Sequence, residues 1–271
     1  DIVDYPGEWL LDLALMDQSY AEWSAKALQN LDKRPGGQPY LDMLSTTDPD
    51  AKLDEQVATA LASIFTTALN SARNAGFSDC TPGRFLMPGE MAGSPALTFA
   101  PLPQGAGPRG SLAREFQRRF EAYKSQIVKP FFRDHFARID RQIVLVDALG
   151  AIHAGPPALE DLRATLTGLL TSFRPGKNSW LSALTGKRVE RILFAASKAD
   201  HLHHTEHAKL SAIVEALVRG ASDKAGFAGA DTRALALARL RATVEEVLKN
   251  DGNDLPCVKG SLLSTGKQAA F

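Results

Sequence analysis

The sequence predicts an α/β protein in which a large helical insertion interrupts a parallel sheet. Two β-rich runs, at residues 143–146 and 191–196, have the continuous apolar character of strands buried on both faces. Helical patterns follow them at about residues 157–173 and 204–224, and this alternation favours a parallel sheet with right-handed crossovers. A third candidate strand, at residues 233–241, is equally compatible with a helix because it is rich in alanine and leucine.

Helical periodicity dominates the chain before residue 140. One helix is predicted from Glu8 to about Asn30, and another after Asp48, where the acid suits a cap and the proline that follows suits the first turn. A further helix is predicted after Ser111. Residues 77–110 are rich in proline and glycine but too apolar to be disordered, so we expect a packed irregular loop.

The helix after Ser111 has one apolar stripe and an opposite basic face. Charged helix faces are usually solvated, and we expect the same here. The residues of this face are Arg114, Arg118, Arg119 and Lys124.

The composition is that of an ordinary globular protein. The 271 residues carry a formal net charge of zero, which gives no reason to expect nucleic-acid binding, because that would call for a basic face. Cys80 and Cys257 lie far apart and are expected to be free thiols in a reducing compartment. No run approaches the roughly 18 apolar residues of a transmembrane segment. Because the chain opens Asp1-Ile2-Val3 as if within a strand, we expect an excerpt of a longer protein.

The tetrapeptide Asp4-Tyr5-Pro6-Gly7 matches D-x-x-G, a motif of nucleotide hydrolases. In such sites the acid helps to hold Mg²⁺, and the glycine amide meets the γ-phosphate, since only glycine lets the backbone approach so closely. Glu8 follows directly, where a carboxylate can act as a base toward the attacking water. It is equally compatible with an acid in the first turn of a helix. The motif makes Asp4 a candidate metal ligand, Gly7 a candidate phosphate contact and Glu8 a candidate catalytic residue.

A second motif, Ser197-Lys198-Ala199-Asp200, comes directly after the second β-rich run. It matches the guanine-reading motif [N/T]-K-x-D apart from its first residue, where serine weakens the match. An aspartate carboxylate accepts hydrogen bonds from guanine N1–H and from the exocyclic amine, a pair that adenine does not offer. The lysine stem covers the face of the base. His201 follows and is a candidate for the edge of the base pocket.

The third motif, Arg241-Ala242-Thr243, follows the third candidate strand. GTPases have a short turn at this place whose central backbone N–H contacts the base oxygen, so Ala242 is a further candidate contact. The chain contains no G-x-x-x-x-G-K-[ST] loop, and neither Gly176-Lys177 nor Gly266-Lys267 has the required spacing or the Ser or Thr. The order of the three motifs predicts a P-loop NTPase-like sheet whose phosphate loop lies outside this chain, so the chain alone is expected to be inactive.

Four histidines and an acid near the second motif resemble a metal cluster. The order is not H-E-x-x-H and no third ligand is indicated, so a polar helix start is the preferred interpretation. The residues are His201, His203, His204, Glu206 and His207.

The joint occurrence of four long strings is specific: DYPGEWL at 4–10, PGRFLMPG at 82–89, DRQIVLVD at 140–147 and SKADH at 197–201. Together they resemble the YcjX-like family of bacterial predicted P-loop NTPases. The resemblance covers nearly the whole chain and implies a GTPase-like fold with a large helical insertion and a Walker A loop before residue 1. It also implies a cytoplasmic protein, at times peripheral to the inner membrane, with a stress-related role and a membrane-protein partner.

The motifs and the resemblance predict three parts and one activity. Residues 1–10 belong to the nucleotide-binding domain, at the end of its switch II strand; residues 11–139 form the helical insertion; residues 140–271 complete the nucleotide-binding domain. The intact protein is expected to bind GTP and GDP and to hydrolyse GTP with Mg²⁺ as a regulatory or stress-related switch. Two alternatives stay open: an ATPase of the same fold, which Ser197 allows, and a non-hydrolysing helical interaction module.

Overall fold

The chain forms two compact units. The computed structural model describes residues 2–103, 107–134, 139–172, 191–225, 231–238, 240–250, 252–262 and 265–270. One unit draws on Asp1–Ile139 and Gly168–Lys187, and the other on Asp140–Thr167 and Arg188–Phe271. Among the helices of this described part, none combines the length and the hydropathy that crossing a membrane requires.

The first unit is built from helices that begin at polar caps. The hydroxyl of Ser111 accepts a hydrogen bond from the Arg114 N–H, which confirms the predicted helix start there. The bounds are α1 (Gly7–Leu11), α2 (Tyr20–Lys33), α3 (Gln38–Ser45), α4 (Glu55–Asn74), α5 (Gly83–Leu86), α6 (Leu112–Tyr123) and α7 (Lys129–Asp134).

The start predicted at Asp48 is wrong. Asp48 closes a local turn by accepting a hydrogen bond from the Asp50 N–H at 3.0 Å. α4 begins seven residues later, after Asp54, whose carboxylate accepts two backbone N–H groups of the first turn. Both aspartates suit a cap, and the local sequence does not show which one the tertiary structure uses. The short α3, which lies between α2 and α4, is an addition to the prediction.

The single helix predicted over residues 8–30 is divided. A 3₁₀ turn, Asp12–Leu15, follows α1. Ser19 and Glu22 then form a reciprocal capping box, in which each side chain accepts from the backbone N–H of the other. Because the box satisfies the free N–H groups of a helix start, the chain begins a new helix there rather than continuing the first.

Aromatic side chains fill the core of the first unit. The ring of Trp23 stacks on Phe120, with centroids 5.2 Å apart and an interplanar angle of 21°. Phe65 and Phe99 meet Trp23 edge-on at 5.9 and 5.5 Å. All four side chains are fully buried. Offset and edge-to-face contacts of this kind stabilise a core beyond the area that they bury.

The segment 77–110 is packed and largely irregular, as predicted. Tyrosines of the surrounding helices donate hydrogen bonds to its backbone carbonyls. Tyr20 Oη donates to the Ala100 carbonyl at 2.7 Å, and Tyr40 Oη donates to the Pro101 carbonyl at 2.5 Å. These contacts satisfy buried polar groups that the loop itself leaves unpaired.

The basic face of α6 is not uniformly solvated, so that expectation is wrong for Arg119. This side chain is buried and its guanidinium has three partners. It donates to Glu115 at 2.8 Å, to Glu55 at 2.6 Å and to the Thr98 carbonyl at 3.0 Å. Arg119 therefore links α6, α4 and the irregular segment.

The second unit contains the predicted parallel sheet. Its strands are β1 (Arg141–Val146), β2 (Arg191–Ala196) and β3 (Asp231–Ala236), in the order β1-β2-β3. Val146, Ala196 and Ala236 lie side by side at the carboxyl ends of the strands. The third candidate is thus a strand. The connecting helices are α8 (Ala148–Ala154), α9 (Pro156–Ser172) and α10 (His207–Ala225).

The prediction that the first β-rich run is buried on both faces is wrong. In β1 the side chains alternate between buried and exposed, and Ile143 and Leu145 are 63% and 56% exposed. Within the described residues β1 pairs only with β2, so it lies at the edge of the described sheet. Composition alone does not tell an edge strand from a central one.

The strand predicted to end at Ile2-Val3 is also not formed. Both residues lie outside any strand of the described structure, and Ile2 is 99% exposed. A strand needs a neighbour for its backbone hydrogen bonds, and no described strand pairs with this segment.

A second, antiparallel sheet follows β3 and was not expected from the sequence. It consists of β4 (Val244–Asn250), β5 (Asn253–Ser261) and β6 (Gln268–Ala270). β4 and β5 pair until Asn250 meets Asn253, and Gly252 has a φ of +84°. A glycine after an aspartate is a typical signal of such a tight hairpin.

Candidate functional site

The carboxyl ends of β1, β2 and β3 carry the candidate base-reading residues. Because the three strands are parallel and in register, the residues that follow them meet at one edge. The Ser197 N–H donates to the Val146 carbonyl at 2.9 Å, and the Leu237 N–H donates to the Ala196 carbonyl at 2.8 Å. Ligands of open parallel sheets bind at this edge.

Lys198 has a backbone conformation that is rare for a side chain of its type. Its φ of +61° is the only positive φ of a non-glycine residue in the described part of the chain. Such conformations cost free energy and are held by surrounding structure, often at functional sites. The ammonium group donates to Asp147 Oδ2 at 2.5 Å, so Lys198 is tied to the residue that caps α8 after β1.

Asp200 and Ala242 are brought together although 42 positions separate them. The Ala242 N–H donates to Asp200 Oδ2 at 3.1 Å, and the aspartate is 6% exposed. Thr243 adds a second tie, since its hydroxyl donates to the Asp200 backbone carbonyl. The structure thus joins the second and third motifs at one point.

The remaining histidines of this loop differ in their surroundings. His201 is exposed at the end of a 3₁₀ turn, Ala199–His201. His207 is partly buried, and its Nε2 lies 2.8 Å from the Ala199 carbonyl and 3.2 Å from the Leu202 carbonyl. Two carbonyl partners require a proton on this nitrogen. His207 Nε2 therefore donates hydrogen bonds to the loop and does not offer a lone pair to a metal ion.

The D-x-x-G segment lies in the first unit. The Asp4 carboxylate is exposed and makes no hydrogen bond or ion pair within the described residues. Gly7 is exposed, and a β-carbon at this position would meet no atom within 4 Å. The protein's own packing therefore gives no reason for a glycine at this position.

Glu8 is held by an arginine of the helical insertion. Its Oε1 lies 3.0 Å from an Arg73 guanidinium nitrogen near the end of α4. The glutamate side chain is 27% exposed and the arginine side chain 41%. Sequence reasoning did not identify Arg73, because 65 positions separate the partners and no local pattern marks them.

The residues after Glu8 pack closely against α5 and the residue that follows it. The Trp9 indole N–H donates to the Met87 carbonyl at 2.8 Å, and the Arg84 guanidinium carbon lies 3.3 Å from the centre of the Trp9 ring. Gly83 approaches so closely that a β-carbon there would lie 2.0 Å from the Glu8 carbonyl oxygen. The insertion thus fixes the segment that carries the candidate catalytic acid.

Asp12 supports the same packing from inside the core. Its carboxylate accepts hydrogen bonds from the Gly83 N–H at 2.8 Å and from the Tyr123 hydroxyl at 2.5 Å. Burial raises the pKa of Asp12 from its ordinary value of 3.8 to about 7, although both hydrogen bonds and the charge of Arg84 act in the opposite direction. Asp12 is therefore a buried titrating group that binds Gly83, the residue that packs against Glu8. The apolar periodicity of the segment did not indicate it.

The candidate residues fall into two groups, one in each unit. Asp4, Gly7 and Glu8 belong to the first, and the group Lys198, Asp200, His201 and Ala242 belongs to the second.

Comparison with known proteins identifies the family. The chain matches the sequence profile of the YcjX-like family, DUF463, over residues 1–271. It is 36% identical to "Ras-like GTPase YcjX" of Escherichia coli K12 over 277 aligned positions, which cover 98% of this chain and 60% of the relative. It is 33% identical to the protein of the same name from Shewanella oneidensis, covering 97% of this chain and 57% of the relative. The chain spans somewhat over half the length of these curated relatives. Its architecture is P-loop NTPase-like, with a parallel sheet and a large helical insertion, and the chain belongs to the YcjX-like family.

Proposed function

We propose that the intact protein binds guanine nucleotide and hydrolyses GTP with Mg²⁺. The observation that carries the proposal is the contact between Asp200 and Ala242 at the carboxyl edge of the sheet. Guanine presents N1–H and an amine to a carboxylate, and a carbonyl oxygen to a backbone N–H, on one edge of the base. Asp200 and Ala242 offer the complementary groups side by side.

The contact also predicts a change on nucleotide binding. One oxygen of Asp200 and the N–H of Ala242 now satisfy each other at 3.1 Å. A guanine base would replace this hydrogen bond with its own contacts to both partners. Adenine offers an acceptor at N1 instead of a donor, so it would leave the carboxylate without a partner. Unpaired buried charge is costly, and this cost is the proposed source of specificity.

At the phosphate end of the nucleotide, we assign Asp4 to Mg²⁺ binding and Gly7 to contact with the γ-phosphate. We assign Glu8 to the attacking water. The free, exposed carboxylate of Asp4 suits a hard cation that prefers oxygen ligands and keeps several waters. When bound, the ion would neutralise phosphate charge. The open surroundings of Gly7 leave room for a phosphate oxygen to approach the backbone. Glu8 would orient the attacking water and accept its proton, with Arg73 as its positioning partner.

The domain assignment is part of the same proposal. Residues 1–10 and 140–271 would form the nucleotide-binding domain, and residues 11–139 the insertion. This chain contains no Walker A loop, and the proposal assigns that loop to the part of the relatives' length that the chain does not span. The name of the relatives, Ras-like GTPase, supports guanine nucleotide as the ligand.

The family resemblance adds a biological setting to the proposal. We propose a regulatory or stress-related switch in the cytoplasm, at times peripheral to the inner membrane and working with a membrane-protein partner.

Nucleotide competition on the full-length protein tests the proposal. GTP and GDP should displace a fluorescent guanine nucleotide, and ATP should require at least about 100-fold higher concentration, the selectivity expected when a site is built around hydrogen bonds. Equal competition by ATP, unchanged in Asp200→Ala, would identify an ATPase of the same fold. Absence of any nucleotide binding would favour the helical interaction module.

A further inference from the structure

Three side chains with metal-binding atoms converge beside the base-reading loop. His203 and His204 come from this loop, and Glu245 comes from the start of β4. One ligand atom from each lies within 4.8 Å of the other two. The third ligand that the histidine string lacked in the sequence is therefore present in the fold, 41 positions after His204.

The individual distances are close to those of a coordination sphere. His204 Nδ1 lies 2.8 Å from Glu245 Oε2, and His203 Nε2 lies 4.0 Å from the same oxygen. In a tetrahedral zinc site with bonds of about 2.0–2.1 Å, neighbouring ligand atoms are about 3.3 Å apart. The 2.8 Å distance must widen by about 0.5 Å and the 4.0 Å distance must shorten by about 0.7 Å, which rotation of the exposed His204 and the partly buried Glu245 side chains accommodates.

The hydrogen bonds of His203 leave a ring nitrogen available. Its Nδ1 lies 3.0 Å from the Thr205 hydroxyl oxygen and accepts the Thr205 backbone N–H at 3.4 Å, while Nε2 lies 4.0 Å from Glu245 Oε2 and makes no hydrogen bond within the described residues. For Nε2 to bind a metal ion, the proton must lie on Nδ1 and be donated to the Thr205 hydroxyl, in place of the long hydrogen bond from the Thr205 backbone N–H. A metal-binding histidine is typically oriented in this way, by a hydrogen bond from its other ring nitrogen. The side chain of His203 is only 9% exposed, so the ring has a fixed position.

Glu245 is similarly oriented, through the contacts of its other carboxylate oxygen. Its Oε1 accepts from the His204 backbone N–H at 3.0 Å and lies 2.6 Å from an Arg241 guanidinium nitrogen. These contacts occupy Oε1 and leave Oε2 facing the two imidazoles. Arg241 contributes a positive charge near the site, which weakens the attraction for a dication. The donor set therefore suits a borderline ion that gains from two imidazoles rather than a hard cation that relies on carboxylate charge.

We propose that His203, His204 and Glu245 bind one Zn²⁺ ion, or a similar first-row transition-metal ion, with a fourth position open to solvent. Binding requires both imidazoles to be neutral, with the proton of His204 on Nε2 so that its Nδ1 faces the ion. The ion links residues 203–204 to β4, immediately beside Thr243, which contacts the Asp200 backbone. It thereby links the loop that carries Asp200 to the segment that carries Ala242 and Thr243.

Calorimetric titration of the chelator-treated, nucleotide-free chain with ZnCl₂ tests the proposal. We expect one equivalent to bind and the thermal midpoint of unfolding to rise. His204→Ala removes a mostly exposed side chain, and Glu245→Gln retains the hydrogen-bonding shape, so both should fold. Each should weaken Zn²⁺ binding at least about tenfold, because coordination with fewer ligands is much weaker. His153→Ala, which removes an exposed histidine in α8, is the matched control and should bind like the unaltered chain.

Co²⁺ gives an independent readout of the ligands. The Co²⁺-loaded chain should show the visible absorption of a low-symmetry nitrogen and oxygen site, and His203→Ala should lose it. No saturable binding near one equivalent, or equal binding by the triad variants and His153→Ala, would overturn the proposal.

Discussion

The carboxylate of Glu8 lies 3.0 Å from the guanidinium of Arg73, so the candidate catalytic acid is held by a helix of the insertion. The pair joins the residue after D-x-x-G to the end of α4. Within the first unit, the insertion and the residue that follows the D-x-x-G motif are thus linked by a direct side-chain contact. Under the proposed function, the contact would give the insertion a physical means to influence hydrolysis.

Replacing Glu8 with alanine should slow GTP hydrolysis by the full-length protein about 10²- to 10⁴-fold, the usual contribution of a general base. GTP affinity should change little, since Glu8 is assigned to water rather than to nucleotide. Single-turnover hydrolysis and nucleotide titration measure the two effects separately. Glu90→Ala, which removes an exposed glutamate of the same unit, is the control. Unchanged hydrolysis in Glu8→Ala would contradict the assignment of Glu8 as the residue that orients and deprotonates the attacking water.

Arg73→Ala should alter stability only slightly. Both partners of the ion pair are partly exposed, and pairs of this kind contribute about 0–1 kcal/mol. The pair is expected to position Glu8 rather than to hold the fold. Thermal unfolding of the chain measures this, and a loss above about 2 kcal/mol would mean that Arg73 is a structural residue instead.

Gly83→Ala should destabilise the first unit by about 1–3 kcal/mol, the usual cost of overpacking. The new methyl group would lie 2.0 Å from the Glu8 carbonyl oxygen, so either α5 or the segment after D-x-x-G must move. Gly220→Ala in α10 is the matched control. It meets no atom within 4 Å and should stabilise the helix by about 0.5–1 kcal/mol. Equal effects of the two substitutions on the unfolding midpoint would contradict the close approach.

Asp12→Asn should change how stability depends on pH. Burial raises the pKa of Asp12 to about 7 in the folded chain, against 3.8 in the unfolded one, so folding takes up a proton between these values. The contribution of Asp12 to stability is therefore complete below about pH 4 and is lost as the pH rises through about 7. Relative to the unaltered chain, Asp12→Asn should become progressively more stable between these values. Paired unfolding scans measure the difference, and a difference that is independent of pH would refute the raised pKa.

Much of the fold follows from local sequence. The apolar runs at residues 143–146 and 191–196 are strands, and Ser111 is a helix cap, because composition and capping act over a few neighbouring positions. Edge or central placement of a strand depends on its neighbours, so the exposure of Ile143 did not follow from its run. Burial of Arg119 likewise depends on acids and a carbonyl in other segments.

The same holds for the candidate sites: contiguous motifs can be found in the sequence, whereas partners from distant segments cannot. The Asp200 loop could be named as a candidate because its motif is contiguous and follows a strand. Arg73 and Glu245 were not recognised, since each acts on residues at least 40 positions away. A pattern within one segment cannot specify a partner that only the folded chain brings near.

The nucleotide selectivity of Asp200→Asn is the sharpest test of guanine reading by the Asp200 loop. An asparagine offers one acceptor and one donor, which match xanthine, whose C2 carries a carbonyl where guanine carries an amine. Full-length Asp200→Asn should bind GDP about 100-fold or more weakly, since each hydrogen bond to a charged group contributes about 1.5–3 kcal/mol. It should bind xanthosine diphosphate more tightly than GDP, while Asp32→Asn, at an exposed site, should keep the original preference. Unchanged preference for GDP in Asp200→Asn would contradict guanine reading by this loop.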